Sequence, residues 1–414
     1  MTATTLVHRD PGGAASLYET DLRYTKLLEG RFGERFLSYR RAWRERSEGG
    51  DPGDFPLSLD ISASSGCQLD CVMCPLPRRR AAEAAAAKAA APSKPARPDA
   101  GAAPTAAPGH EGGAAGSARA GRRAGAGRKA GEGNPGAKRR LMDIGLFRRL
   151  MDEGRERSLP AVTFGLGSEP LLDPRAPELV RIAVNSGVMD VRLGTNGQAL
   201  TRELSEALAD SGLTRLEVSV DAAGPESYAR ARPGGDWRRL LANIEGFLDV
   251  RAKRGLKWPL LRVSFLKLPA NRGELPLFKA AWEGRADMIS VQEPIWFPES
   301  LLPAPPPLPS PPGPVACRQP WQRLGVLEDG SLWPCCSWHG ERLLRGETAE
   351  GGVARAWKFG AMASLRLALA GDGPPPACAV CASAGRAPGC PEGGNGGRGM
   401  GRISANGEAR LIDR

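Results

Sequence analysis

Three cysteines in one short run, Cys67-Gln-Leu-Asp-Cys71-Val-Met-Cys74, stand at C-x3-C-x2-C spacing. Three thiolates on one loop can hold three irons of a [4Fe–4S] cluster, whose full protein set is four. One iron would then stay open to a substrate or cofactor. The alternative is a zinc site with a distant fourth ligand, for which this spacing is unusual and no histidine is near. His8, His110 and His339 are the only histidines in 414 residues, which nearly excludes histidine acid–base chemistry and multi-histidine metal sites. The N-terminus lacks the basic start and apolar run of a signal peptide, so the expected compartment is the cytoplasm. Nine cysteines there read as metal ligands or catalytic thiols rather than disulfides.

A loop of this kind needs a scaffold. Residues 57–61 alternate apolar and polar side chains, a first strand that runs into Ser65-Gly66-Cys67. From Leu141 onward the spacing predicts a helix over about 143–157, then strands at 161–165, 190–194, 215–220, 260–266 and 287–291. Helices are expected between them near 174–187, 201–211, 236–254 and 272–284. Six strands alternating with helices predict an α/β fold with a parallel sheet and right-handed crossovers. Six such units curl into a partial (β/α)6 TIM-like barrel, with its active site at the C-terminal ends of the strands. The cysteine loop follows the first strand, at that end.

The rest of the chain divides by composition. Residues 1–54 read as a helical segment, 55–300 as the barrel, 301–316 as a Pro-rich linker, 317–391 as a small hairpin-plus-helix domain and 392–414 as a Gly-rich tail. Residues 78–140 contain no Val, Ile, Leu, Met, Phe, Trp or Tyr, and cannot bury enough apolar surface to offset their ordering entropy. They are expected to be a disordered loop insertion, which loop closure tolerates. An electrostatic tether for an acidic partner is the alternative. The insertion carries 14 Lys and Arg against 4 Asp and Glu, so it supplies nearly all of the net charge of +11. A folded basic face for nucleic acid is therefore not expected. No run of 18 apolar residues is present, and no membrane span is expected.

With its cysteines at the end of a first barrel strand, the sequence resembles the radical S-adenosylmethionine (SAM) superfamily over about 57–292, minus the insertion. The resemblance implies that Cys67, Cys71 and Cys74 hold a [4Fe–4S] cluster whose open iron binds SAM. An electron from the cluster then cleaves the sulfonium to a 5′-deoxyadenosyl radical, which abstracts a substrate hydrogen. Further matches fall at successive strand ends. Gly165-Leu-Gly167-Ser168-Glu169-Pro resembles the Gly-Gly-Glu-Pro motif that grips the SAM amino group, with Ser168 replacing the second glycine. A carboxylate suits an ammonium through charge-assisted hydrogen bonds. Thr195-Asn196-Gly197 resembles the Thr-Asn-Gly element, and Ser219-Val-Asp221 the Ser-x-Asp near the ribose and carboxylate. By the same resemblance Arg232 pairs with the SAM carboxylate and Met73 packs against adenine. A reductase or flavodoxin-type protein is the implied electron donor.

A second set of cysteines lies in the C-terminal region. Cys317 is followed by twelve residues, Gly330, four residues and Cys335, and then by Cys378-Ala-Val-Cys381. This resembles the SPASM and twitch auxiliary-cluster domains. Only Cys390 follows, which departs from SPASM and fits twitch. The implied ligands of one auxiliary [4Fe–4S] cluster are Cys317, Cys335, Cys378 and Cys381. Four thiolates leave no open iron, so such a cluster carries electrons. A four-cysteine structural zinc site is the alternative. Cys336 and Cys390 are left over, the latter available to a second auxiliary cluster.

For the substrate, Glu293 after the last strand is the candidate proton acceptor and Cys336 a candidate hydrogen-atom donor. Related enzymes dehydrogenate or epimerise small metabolites such as aminocyclitols, or modify ribosomally made peptides and proteins. No separate peptide-binding domain precedes the barrel, which favours a small polar metabolite. The competing class is a zinc-bound, basic-tailed nucleic-acid-binding module, against which the ordered strand-end motifs argue.

Overall fold

The computed structural model describes residues 7–9, 16–19, 22–47, 50–78, 139–292, 317–335, 346–371 and 373–383, with 81, 294, 302 and 343–344. Its strands are β1 (Val7–Arg9), β2 (Ser16–Glu19), β3 (Ser58–Ile61), β4 (Ala161–Phe164), β5 (Asp190–Thr195), β6 (Arg215–Ser219), β7 (Leu260–Leu266), β8 (Met288–Gln292), β9 (Arg323–Val326) and β10 (Leu332–Trp333). They form one sheet in the order β1-β2-β8-β7-β6-β5-β4-β3-β9-β10. Strands β3 to β8 are parallel throughout, as the alternating units predict. The sheet is an unclosed barrel, because β3 and β8 do not pair with each other.

Both edges of the parallel sheet are covered. Strand β2 adds to β8 in antiparallel register, Leu17 opposite Val291. Strand β9 adds to β3 in parallel, Asp60 opposite Gly325, and β10 folds back on it. A bare edge would expose a row of unpaired backbone groups. Two expectations are corrected here. The first 54 residues are not wholly helical, since β1 and β2 precede helices α1 (Leu22–Phe32) and α2 (Glu34–Ser47). The C-terminal hairpin does not stand apart but extends the barrel sheet.

The convex side of the sheet packs on the crossover helices α3 (Ile144–Glu156), α4 (Ala176–Asn185), α5 (Arg202–Asp210), α6 (Pro225–Ala231), α7 (Trp237–Lys253) and α8 (Leu275–Trp282). Ile61, Phe164, Leu193, Val218 and Val263 meet Phe147, Leu179, Ile244, Phe247 and Phe278 in one core. Each such side chain contributes about 1.5–3 kcal/mol when buried. A second apolar cluster lies on the other face. Leu28, Phe36, Tyr39 and Trp43 from α1 and α2 pack on Ala161, Leu260 and Met288 at or near the strand starts. The N-terminal helices thus plug the lower end of the barrel and leave the C-terminal strand ends for the site.

The C-terminal region starts with α9 (Gln319–Gln322), docked on α2 by Gln322, whose amide donates to the carbonyl of Trp43 at 3.0 Å. The helix expected after the hairpin in the 317–391 domain is two, α10 (Val353–Lys358) and α11 (Gly360–Ala370), broken where Gly360 adopts φ +64°. Glu153 of α3 caps α10 by accepting from the backbone of Val353 and Ala354, both at 2.8 Å. Helix α12 (Pro376–Ser383) follows. Most of the basic insertion, the Pro-rich linker and the Gly-rich tail lie outside the described residues. No helix among the described residues is long and apolar enough to cross a membrane.

Candidate active site

The ends of β3 to β7 bring the first cysteine run together with the strand-end motifs. The chain leaves β3 through Ser62 to Ser65 and is stitched there by Arg140, whose N–H donates to Ser65 Oγ at 2.9 Å. The cysteine loop is then held from two sides. The N–H of Asp70 donates to Pro233 O at 2.9 Å and that of Val72 to Ala231 O at 3.1 Å, at the end of α6. The N–H of Glu169 donates to Gly66 O at 3.0 Å.

Glu169 is the centre of the arrangement. Its Oε1 accepts from Thr195 Oγ1 at 2.7 Å and from the N–H of Leu171 at 3.0 Å. Its Oε2 accepts from the N–H of Asn196 at 2.7 Å. A carboxylate has about four acceptor sites, so one site remains, on Oε2. Burial raises the Glu169 pKa, and the bonds from Asn196, Thr195 and Leu171 work against that rise. The approach of these loops depends on Gly165, at φ +114°. A Cβ there would lie 2.7 Å from Gly194 O. Gly167 also has a positive φ, +64°, and Ser168 Oγ meets Ser62 Oγ at 3.1 Å.

Asn196 joins the carboxylate to the cysteines. Its Nδ2 donates to Cys67 Sγ at 3.5 Å and to Gln68 Oε1 at 3.3 Å, and its Oδ1 accepts from Gln68 Nε2 at 3.2 Å. The N–H of Leu69 also donates to Cys67 Sγ at 3.5 Å. On the other side, Arg232 Nη1 donates to Cys71 Sγ at 3.5 Å, while its Nε and Nη2 donate to Asp221 Oδ2 at 2.9 and 2.5 Å. Burial opposes the Arg232 charge, but Asp221, Cys71 and Tyr228 raise its pKa above the ordinary value overall. Ser219 ends β6 opposite Ser264 and is half-buried, as is Met73 in the cysteine loop.

Among the described residues no group of three or more His, Cys, Asp or Glu is gathered to hold a metal ion. The fit of an iron–sulfur cluster rests on the donor chemistry. Burial pushes the Cys67 thiol up to about 12, with Glu169 and Cys71 adding to the rise, and the Cys71 thiol up to about 11. Losing those protons is costly unless a cation compensates, which is how metal binding couples to thiol ionisation. The N–H groups of Asn196, Leu69 and Arg232 already face the sulfurs, the kind of hydrogen bond that tunes cluster thiolates. The residues present therefore fit the group.

The second set of cysteines is placed less completely. The hairpin turns at Gly330, φ +83°, and its antiparallel register returns the chain toward the start of β9, the side of α9 and Cys317. Cys335 lies two residues past Trp333. Cys378 and Cys381 share one face of α12 at i, i+3 spacing. Cys317 and Cys378 both pack on the main core, and burial pushes the Cys378 thiol up to about 11. Glu293, Cys336 and Cys390 lie outside the described residues.

Three contributors went unnoticed in the sequence. Gln68, between two of the cysteines, exchanges amide hydrogen bonds with Asn196. Gln198 donates to Tyr228 Oη and to Asp236 O, both at 3.0 Å, tying the Thr-Asn-Gly turn to the Arg232 turn. Asn271 Nδ2 donates to Asp221 O at 2.7 Å. Only the position of Gln68 and Gln198 beside motif residues could have signalled them.

The family model described as the radical SAM superfamily matches residues 61–255. A probable GTP 3′,8-cyclase of Methanocaldococcus jannaschii is 34% identical over 110 residues, 27% of this chain and 35% of that protein. The GTP 3′,8-cyclase of Alkaliphilus metalliredigens is 36% identical over 85 residues, 20% of this chain and 26% of that protein. The chain thus matches about a third or less of the length of these curated relatives. The crystal structure of Streptococcus suis SuiB bound to S-adenosylmethionine superposes with a TM-score of 0.51 at 15% identity, over 84% of this chain and 79% of that one. The matched segment, just under half of the chain, runs from the end of β3 through α7 and includes every strand-end motif that meets the cysteine loop; over it the chain matches the radical SAM superfamily, whose cofactors are SAM and a [4Fe–4S] cluster.

Proposed function

We propose that this chain uses SAM to remove a hydrogen atom from a small polar metabolite of the aminocyclitol or sugar type, with dehydrogenation or epimerisation as the outcome. The observation that carries the SAM-dependent part of this reading is the hydrogen-bonded line Glu169–Asn196–Cys67, which fixes an acceptor carboxylate beside the cysteine loop. Cys67, Cys71 and Cys74 would hold the cluster, which when bound supplies the open iron and the electron for reductive cleavage of SAM to a 5′-deoxyadenosyl radical.

The chain's own residues bind and orient. The open site on Glu169 Oε2 accepts from the SAM ammonium, and Thr195 and Asn196 hold that carboxylate in place. Gly167 and Ser168 shape the loop that presents it. Ser219 and Asp221 stand at the end of β6 for the ribose and carboxylate, with Arg232 fixed by Asp221. Met73 lies on the cysteine loop for the adenine.

An auxiliary [4Fe–4S] cluster on Cys317, Cys335, Cys378 and Cys381 would accept the electron that a dehydrogenation releases, and Glu293 its proton. In a redox-neutral epimerisation Cys336 would return a hydrogen atom. A reductase or flavodoxin-type protein would supply the first electron. The similarity to GTP 3′,8-cyclases favours a second reading, a phosphorylated nucleotide as substrate.

Anaerobic reconstitution tests the reading. Wild type is expected to hold about eight irons, and the Cys67/Cys71/Cys74→Ala variant about four, with 5′-deoxyadenosine formed only by wild type. Zinc in place of iron, or no SAM cleavage, overturns it.

A further inference from the structure

The concave face of the barrel is not apolar above its plug. Successive inward positions carry charge: Asp60 on β3, Asp190 and Arg192 on β5, Arg215 and Glu217 on β6, Arg262 on β7 and Arg323 on β9. Val191, Leu193, Leu216, Val218, Leu261 and Val263, the alternating neighbours of the charges on β5 to β7, lie in the helix-side core. The lowest charges are matched pairwise. Arg215 holds Asp190 with two nitrogens, and Arg323 holds Asp60 at 3.2 Å.

Arg192 is different. It stands 3.5 Å from Glu217, and Arg262 stands 3.5 Å from the same oxygen, Oε2. Neither approach has the length of an ordinary hydrogen bond. Arg262 has a separate acceptor, donating from Nη2 to Ser290 Oγ at 2.6 Å. Arg192 has five donors and only a shared, distant carboxylate. Burial alone would raise the Glu217 pKa, but Arg262, Arg192 and Arg215 hold it below its ordinary value.

There is room above this layer. The inward residues one step nearer the strand ends are Gly194, Ser219, Ser264 and Ser290, all small. The Arg192 side chain keeps 23% of its surface accessible and that of Glu217 13%, although both sit within strands flanked on each side. Gly194 and Ser219 above them are half-buried, whereas Ser264 and Ser290 are 4% and 1% exposed, so water reaches the charged layer on the side of β5 and β6. From Glu217 to Ser219 is two residues, about 6.6 Å along a strand.

We infer that Arg192, with Glu217 as its counter-charge, forms an oxyanion subsite on the barrel floor that anchors a carboxylate or phosphate group of the substrate. The inference rests on the proposed radical SAM chemistry only for the role of the bound molecule. An anion held there leaves only a short span up to the strand ends, which suits a small substrate. A planar guanidinium with unmatched donors is suited to bidentate contact with such a group. Glu217 disfavours anions through its charge, so the subsite selects one small anionic end rather than a polyanion.

Calorimetric titration of inorganic phosphate and of acetate into the reconstituted, SAM-loaded enzyme tests this. One of the two is expected to bind at one site per chain, and the one that binds identifies the source of the charge. Arg192→Gln should weaken that binding about tenfold or more, the loss of one charge-assisted pair. Arg192→Lys should recover part of it, and Glu217→Gln should tighten it. Binding by neither anion, an affinity unchanged in Arg192→Gln, or weaker binding in Glu217→Gln overturns the inference. Iron content, measured on every variant, reports the cluster separately. A failure of the radical SAM reading shows as absent iron in wild type, whatever the anions do.

Discussion

Asp221 holds Arg232 by its Nε and Nη2 and leaves Nη1 directed at Cys71 Sγ. The aspartate is itself fixed at every polar group. Its Oδ1 accepts from the N–H of Leu266 at 2.7 Å, its carbonyl accepts from Asn271, and its backbone sits at φ +56°. The guanidinium is thus oriented by the ends of β6 and β7 and presented to the cysteine loop. Resemblance alone assigned Arg232 to the SAM carboxylate; in this structure its fork is engaged by Asp221.

Asp221→Asn should be severely destabilising. The side chains of Asp221 and Arg232 are 2% and 11% exposed, so the change leaves a buried guanidinium without its counter-charge. Breaking a buried pair in this way costs about 3–5 kcal/mol. Urea unfolding of the reconstituted protein measures it, and a loss below 1 kcal/mol, about the worth of a surface pair, would show that the pair is not buried as described.

Arg232→Lys keeps the charge and loses the fork. The Cys71 sulfur then loses an N–H donor, and hydrogen bonds to cluster sulfurs raise the reduction potential. An EPR-monitored redox titration should therefore show a lower midpoint for the SAM-binding cluster than in wild type. An unchanged midpoint, with iron content intact, would mean that the contact does not act on the cluster.

Glu169→Gln should weaken SAM binding about 10–100-fold, the range of a hydrogen bond to a charged group. The amide has a single acceptor oxygen, so it keeps either the bonds on the Oε1 side, from Thr195 and Leu171, or the one from Asn196, and urea unfolding of the variant reports what the loops lose. The pH dependence follows from burial, which raises the Glu169 pKa. The carboxylate that receives an ammonium is therefore lost at a higher pH than an ordinary glutamate would be. SAM affinity should fall on acidification in wild type, and this acid limb should be absent in the variant.

Much of this architecture was legible from periodicity. Strand β7 falls over 260–266 as the spacing predicts, and α3, α5 and α7 end within one or two residues of expectation. Each of these helices is also capped, with Asp143, Thr201 and Asp236 accepting from the backbone three residues on. Strand β2 was not legible, because Ser16-Leu-Tyr-Glu19 is too short to show a period and is defined by its ladder to β8. The break at Gly360 was hidden by the helix-forming residues around it. Within the site, the cysteines, Glu169 and Asn196 could be read from spacing and resemblance. The charged floor could not, because Arg192, Glu217 and Arg262 lie far apart in sequence and meet only through strand register.

Gly165→Ala tests whether the strand-end loops need their close approach. The residue sits at φ +114°, and an added Cβ would fall 2.7 Å from the carbonyl oxygen of Gly194. That oxygen is backbone in a central strand and cannot swing away. Backbone strain of this kind costs about 1–3 kcal/mol, and the clash adds to it. The variant should lose that much stability in urea, and Gly187→Ala, where nothing lies within 4 Å of a Cβ, serves as the positive-φ control. Equal losses at the two positions would mean that the conformation alone, and not the approach to Gly194, sets the requirement.

The cluster-free protein should be least stable in alkali, for a reason located in the cysteine loop. Cys67 and Cys71 have folded-state values of about 12 and about 11 against an ordinary 9.0, raised chiefly by burial. The folded chain therefore holds these protons more tightly than the unfolded chain does. The resulting stability is fully present below pH 9 and is lost as pH rises through 11 and 12. Each unit of separation is worth about 1.4 kcal/mol, so the decline should be visible in urea midpoints taken between pH 8 and 11. Cys67→Ser/Cys71→Ser should remove the larger part of it, because serine does not titrate in that range, while Cys378, raised to about 11, keeps a share. Binding of iron requires the thiolates, so reconstitution of wild type should release protons and remove the alkaline decline. A decline undiminished in the double variant would place its origin elsewhere in the fold.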